Sequence, residues 1–216
     1  MKKVNFRKSS LVIVNAEFVG FLAAAGKVMI DKYDHKVSFL VRDKVIKDLI
    51  NEILPNHDNI IIRTEIFDSI KPFDVLEEAN RIEKQYSIRL AMHLSFERGL
   101  GQGYLFNVQK HPDIIKASWS HLKKLKTIIS QILCYEEIIN NYQMVISFNV
   151  DRLVHMICQK RAIGCYCLAE TKYGDLYFWT DNQYYTSSNY IKNIKERLQN
   201  YQPSLIENEY QIGYAG

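Results

Sequence analysis

Short runs of consecutive apolar, often β-branched residues alternate along this chain with longer stretches in which apolar residues recur every three to four positions. The short runs predict buried strands and the longer ones predict helices packed on them. Residues 11–15 are the first strand, 19–33 a helix, and 36–41 a second strand ending at Arg42 and Asp43. In 44–54, Val45, Leu49, Ile50, Ile53 and Leu54 fall at helical spacing, and Pro55 closes the helix. Residues 60–63 are again strand-like, rich in β-branched side chains. The order β-α-β-α-β predicts parallel strands joined by right-handed crossovers.

The middle of the chain predicts long helices. One covers 74–96 and opens on Asp74, Glu77 and Glu78, acids that suit the helix dipole. A glycine-rich break at 99–103 separates it from a second, at 112–140. Alternation then resumes with strand 144–148, helix 150–161, strand 165–169 and a last helix at 190–201. The expected fold is α/β, a doubly wound and mostly parallel sheet. With no Pro/Gly/Ser-rich linker to divide it, a single domain is expected over 1–205, with 206–216 as a tail or interdomain linker.

Composition narrows the function classes. The chain has 216 residues, 47% of them hydrophobic and 24% charged, enough to bury a full core. Its 28 basic and 24 acidic residues leave a net charge of only +4, spread along the chain, so no nucleic-acid partner is expected. Cys134, Cys158, Cys165 and Cys167 have no framework spacing and are expected to be free thiols in a reducing compartment. The i, i+2 pair Cys165 and Cys167 shares one face of a strand but lacks a companion pair at zinc-site spacing, so neither metal nor cofactor is expected. No uninterrupted apolar run reaches membrane-span length. The expected location is cytoplasmic, with room for peripheral contact at the inner face of a membrane.

In an open parallel sheet, ligands gather at the carboxyl ends of strands, beside helix N-termini. That rule nominates Asn15 and Glu17 after the first strand, Asn149, Asp151 and Arg152 after strand 144–148, and Glu170 after strand 165–169. Glu17 is either a first-turn acid complementing the helix dipole or a group that works on substrate. Asp151 fits a helix start, where its carboxylate accepts from free N–H groups.

Two further segments carry candidate chemistry. His93 and Glu97 share one helical face, and with Arg98 they offer a base, an acceptor and an anion-binding group. The same residues also fit a surface polar pair ahead of a glycine cap at Gly99. The glycines there do not follow a strand, so they form no dinucleotide fingerprint. In 170–185, Tyr173, Tyr177, Phe178, Trp179, Tyr184 and Tyr185 interleave with Asp175, Asp181 and Asn182. Rings that stack on sugar faces beside carboxylates that bind hydroxyls suit a saccharide, although aromatic hairpins also serve as packing or partner surfaces. The acids between the rings argue against stacked nucleotides.

The β-α-β start, the element at 96–104 (FERGLGQGY) and the element at 172–182 (KYGDLYFWTDN) resemble the N-terminal half of capsular and surface-polysaccharide biosynthesis glycosyltransferases. These are GT-B type enzymes built from two Rossmann-like domains facing a cleft. The resemblance implies an acceptor-side domain that binds a sugar or lipid-linked saccharide and supplies the catalytic base. It also implies a nucleotide-sugar donor held by a C-terminal domain or a partner chain. In that frame Glu17 and His93 are the candidate bases, Glu97 orients the base, and Arg98 or Arg152 meets a phosphate. Asn15, Asn149, Glu170, Trp179 and Asp181 complete the expected substrate contacts. The chain stops near Gly216, where the family's second domain begins, so this half is expected to be catalytically incomplete by itself. The alternative from another class is a non-catalytic module that binds a carbohydrate or a protein.

Overall fold

A computed structural model describes residues 8–14, 16–96, 119–148, 151–170 and 177–181, with Lys192, Glu196 and Gln199; the side chains of Glu17, Ser95, Phe96 and Glu170 are not among those described. The chain is a mixed α/β protein built on a six-stranded sheet. Its strands are β1 (Ser9–Val14), β2 (Lys36–Val41), β3 (Ile60–Ile62), β4 (Met144–Phe148), β5 (Gly164–Glu170) and β6 (Tyr177–Thr180). They lie in the order β3-β2-β1-β4-β5-β6. The first five run parallel and β6 pairs antiparallel to β5.

Strand alternation sorts the side chains onto two faces. Leu11, Ile13 and Val145 point into one buried cluster, whereas Val12, Val14, Phe39 and Ile146 point into the other. Both faces are covered, which is why these strands read as unbroken apolar runs. Helices α1 (Val19–Tyr33) and α2 (Lys44–Ile53) cover the second face through Leu22, Ala23, Ile46 and Ile50. The first face is covered by α4 (Val75–Tyr86), α5 (Leu90–Phe96), α6 (His121–Ile139) and α7 (Arg152–Lys160). Each fully buried leucine or isoleucine contributes about 1.5–3 kcal/mol, so the two layers fix the sheet between them. A short α3 (Arg63–Ser69) follows β3 directly.

Helix starts are specified locally. Asp43, Asp74 and Asp151 each turn a carboxylate oxygen onto free backbone N–H groups of the first turn, and Ser120 does so with its hydroxyl. None of the described helices is long and apolar enough to cross a membrane.

Two predicted helices differ from the structure. The helix expected over 74–96 is broken, because Ser87 adopts a left-handed conformation (φ 55°) and its N–H bonds the Glu83 carbonyl. The Glu83 carboxylate then accepts from Leu90 N at 2.7 Å, which starts α5. The second long helix begins at His121, not at 112, because Ser120 caps it. Of the helix expected at 190–201, Lys192, Glu196 and Gln199 are described and are helical.

Candidate functional site

Strand order changes direction at β1, with β2 and β3 added on one side and β4 and β5 on the other. The carboxyl ends of β1 and β4 are therefore the topological switch point, the position of the ligand crevice in open sheets of this kind. Over β1, β2 and β3 lies a cavity of about 280 Å³, walled by apolar side chains that include Val14, Val41 and Ile46. Its charged lining residues, among those described, are Arg42 and Arg63. Each is the first residue after its strand.

Arg63 is held from behind. Its Nη1 donates to the Tyr135 hydroxyl at 3.0 Å, and that hydroxyl donates to Asp151 Oδ2, also at 3.0 Å. The other oxygen of Asp151 caps α7, accepting from Leu153 N at 2.9 Å and Val154 N at 3.3 Å. The helix-start role expected of Asp151 is thus present, together with a second one. Burial opposes the charge on Arg63, but Tyr135 and Asp151 outweigh it and keep the guanidinium protonated. Burial, joined by the Asp151 charge, pushes the Tyr135 phenol up, so it stays a neutral donor. This bridge crosses from the end of β3 to the end of β4, passing the two strands between them.

Aromatic rings flank the switch point on the α1 side. Phe18, in the 3-10 turn Ala16–Phe18, stacks on Phe148 with centroids 3.5 Å apart. Tyr177 meets both edge-on at 5.9 and 6.2 Å. Trp179 lies 6.4 Å from Phe21, and both rings are exposed.

On the other side, a groove of about 440 Å³ runs along α7 beside the ends of α4 and α5. It is lined by His93, Arg152, His155 and Lys160, with no carboxylate among the described lining residues. Burial, and then the Arg152 charge, lowers the His93 pKa, so its imidazole is neutral at neutral pH. His155 Nε2 donates to the Asp181 carbonyl at 3.3 Å.

His93 and Arg152 therefore share one groove although 58 residues of chain intervene between them. Glu17 lies in the 3-10 turn at the carboxyl end of β1, ahead of α1 and not in its first turn. Glu170 ends β5 opposite Tyr177, Trp179 presents its ring beside Phe21, and Asp181 follows β6 close to His155 and away from the switch point. Asn15, Glu97, Arg98 and Asn149 lie outside the described residues. Sequence reasoning missed Arg42, Arg63 and Tyr135. The strand-end rule, applied to β2 and β3 as it was to β1, β4 and β5, finds both arginines. Tyr135 lies mid-helix among apolar neighbours and carries no such signal.

All four cysteines are free and buried. Hydrogen bonding to Cys158 pushes the Cys165 thiol up, and hydrogen bonding to Cys165, followed by burial, does the same to Cys167. Among the described residues no three His, Cys, Asp or Glu side chains gather as metal ligands. No protein-family model, curated protein or solved structure matches this chain.

Proposed function

We propose that this chain is the acceptor-side, doubly wound Rossmann-like domain of a GT-B type glycosyltransferase that builds a bacterial surface polysaccharide from a nucleotide-sugar donor. The supporting observation is that His93 and Arg152 line one groove along α7, the helix that starts after β4. A general base must be neutral before it takes a proton, and the lowered pKa of His93 meets that requirement. Arg152 supplies a positive charge for the phosphate of a lipid-linked acceptor.

The chemistry is displacement at the anomeric carbon. His93 removes the proton of the acceptor hydroxyl as its oxygen attacks, and the nucleoside diphosphate departs on the side of the donor domain. Glu17 is the second candidate base, and Glu97 orients His93. Asn15, Arg98, Asn149, Glu170 and Asp181 bind hydroxyls or charged groups of the substrate. Trp179, with its exposed ring, stacks on a sugar face. The donor is gripped by a second Rossmann-like domain, on the same polypeptide or a partner.

The test compares sugar transfer with acceptor binding when this domain is supplied with its donor domain. His93→Ala is expected to lower transfer at least about a hundredfold, the usual scale of a lost general base, while a saccharide acceptor still binds. Unchanged transfer removes His93 as the base. Saccharide binding with no transfer from any nucleotide sugar supports instead a non-catalytic carbohydrate-binding module, the reading that the exposed Trp179 and Phe21 rings favour.

A further inference from the structure

We infer that the cavity over the carboxyl ends of β1, β2 and β3 is a phosphoryl-binding site, in which Arg42 and Arg63 hold the phosphoryl oxygens and Tyr135 positions Arg63. This site is distinct from the His93 groove and does not depend on the glycosyltransferase reading.

The first support is charge. The described residues lining this cavity of about 280 Å³ include two guanidinium groups and no carboxylate, and the remaining walls are apolar. Arg42 is mostly exposed, whereas the burial of Arg63 strengthens the charge-assisted hydrogen bonds that its guanidinium makes. Among the described side chains, the nearby acids Asp43 and Asp151 are already engaged. Asp43 Oδ2 accepts from Arg42 Nε at 2.7 Å, and its Oδ1 accepts from Ile46 N at 3.2 Å. Asp151 is engaged by Tyr135 and by the start of α7.

The second support is donor geometry. Arg42 uses Nε for Asp43, and among the described residues its two terminal nitrogens have no hydrogen-bond partner. Arg63 uses Nη1 for Tyr135, and among the described residues its Nε and Nη2 have no hydrogen-bond partner. A planar pair of N–H donors matches two phosphoryl oxygens, as a lysine ammonium does not. Tyr135 is buried and anchored to Asp151, so Arg63 is oriented before any ligand arrives.

The chemistry shared by a sugar phosphate and a nucleotide is the phosphoryl group, so the experiment titrates the full chain separately with inorganic phosphate, glucose 1-phosphate and uridine diphosphate. The readout is the Nε–H resonance of Arg63. A saturable shift with inorganic phosphate is expected, and the tighter of the two organic ligands identifies the source. Arg63→Gln and the exposed Arg42→Gln are each expected to weaken phosphate binding about tenfold. Tyr135→Phe is expected to weaken binding and reduce the Arg63 Nε–H shift, a change that a purely structural tyrosine in a folded variant does not produce. Absence of a saturable shift in the wild-type chain overturns the proposal. So does phosphate binding that persists undiminished in Arg42→Gln.

Discussion

At Gly26 the backbone of α1 lies directly on the ring of Phe39 in β2. A methyl group there falls 2.5 Å from Cζ and 2.7 Å from Cε1, and Phe39 is fully buried with no room to swing. Alanine gains about 1 kcal/mol of helix propensity over glycine, but overpacking of this kind costs about 1–3 kcal/mol, so Gly26→Ala is expected to destabilise. A lower urea midpoint at unchanged slope is the expected result, and a raised midpoint contradicts the contact. His93 gives a second prediction at this scale. Its folded pKa lies below the ordinary 6.5, so the unfolded chain binds more protons in the window just beneath that value. Stability contributed by His93 is therefore complete above pH 6.5 and falls as pH drops through the window, levelling below the folded pKa. His93→Gln removes this dependence, and Arg152→Ala moves the imidazole midpoint in an NMR titration upward. Midpoints at or above 6.5 in the wild-type chain contradict the assigned environment. Some residue-scale features were legible: Asp151 follows an apolar strand run and precedes helical spacing, which marks it as a cap. Its bond to Tyr135 was not legible, because that partner is brought in by packing across 16 positions.

Glu136 joins three elements on one face of the sheet. From α6 it accepts from Arg81 Nη2 at 2.8 Å, Gln85 Nε2 at 2.9 Å and the Tyr86 hydroxyl at 2.6 Å, all on α4. Arg161, just after α7, approaches it at 3.7 Å. Burial, assisted by Glu136, pushes the Tyr86 pKa up to about 12, so that phenol remains a donor at any physiological pH. Glu136→Ala takes from Arg161 its carboxylate and leaves Arg81 paired with Glu78 alone. Because Arg81 is 38% exposed and water partly compensates, the expected loss is about 2–3 kcal/mol, below the range for a fully buried pair. A loss under about 0.5 kcal/mol in denaturant unfolding places the network outside the stabilising core. Helix identity was legible here from apolar spacing, but the break after Tyr86 was not. Serine has no strong preference for a left-handed backbone, and the side chain of Glu83 that restarts α5 at Leu90 acts across seven residues. The short α3 escaped for a related reason: none of its residues is fully buried, so it lacks a distinct apolar stripe.

Across the whole molecule, the alternation of apolar runs with helical spacing was sufficient for a parallel sheet, since short-range connections leave few other arrangements. It did not specify which side of β1 receives β4, and that choice creates the switch point. Arg42, Arg63 and Asp151 all stand at the carboxyl ends of strands, the region where the sequence places ligand binding as an expectation. His93 and Arg152 meet through the packing of α5 and α7 on one side of the sheet, a juxtaposition that sequence spacing does not encode. The most direct test of acceptor binding is a backbone amide chemical-shift map of the chain titrated with a short-chain lipid-phosphate-linked saccharide. Saturable perturbations at His93, Arg152 and the carboxyl ends of β1 and β4 are the predicted result. Absence of binding contradicts the account, as do perturbations confined to the opposite end of the sheet, around the cavity lined by Lys36, Asp58 and Tyr142.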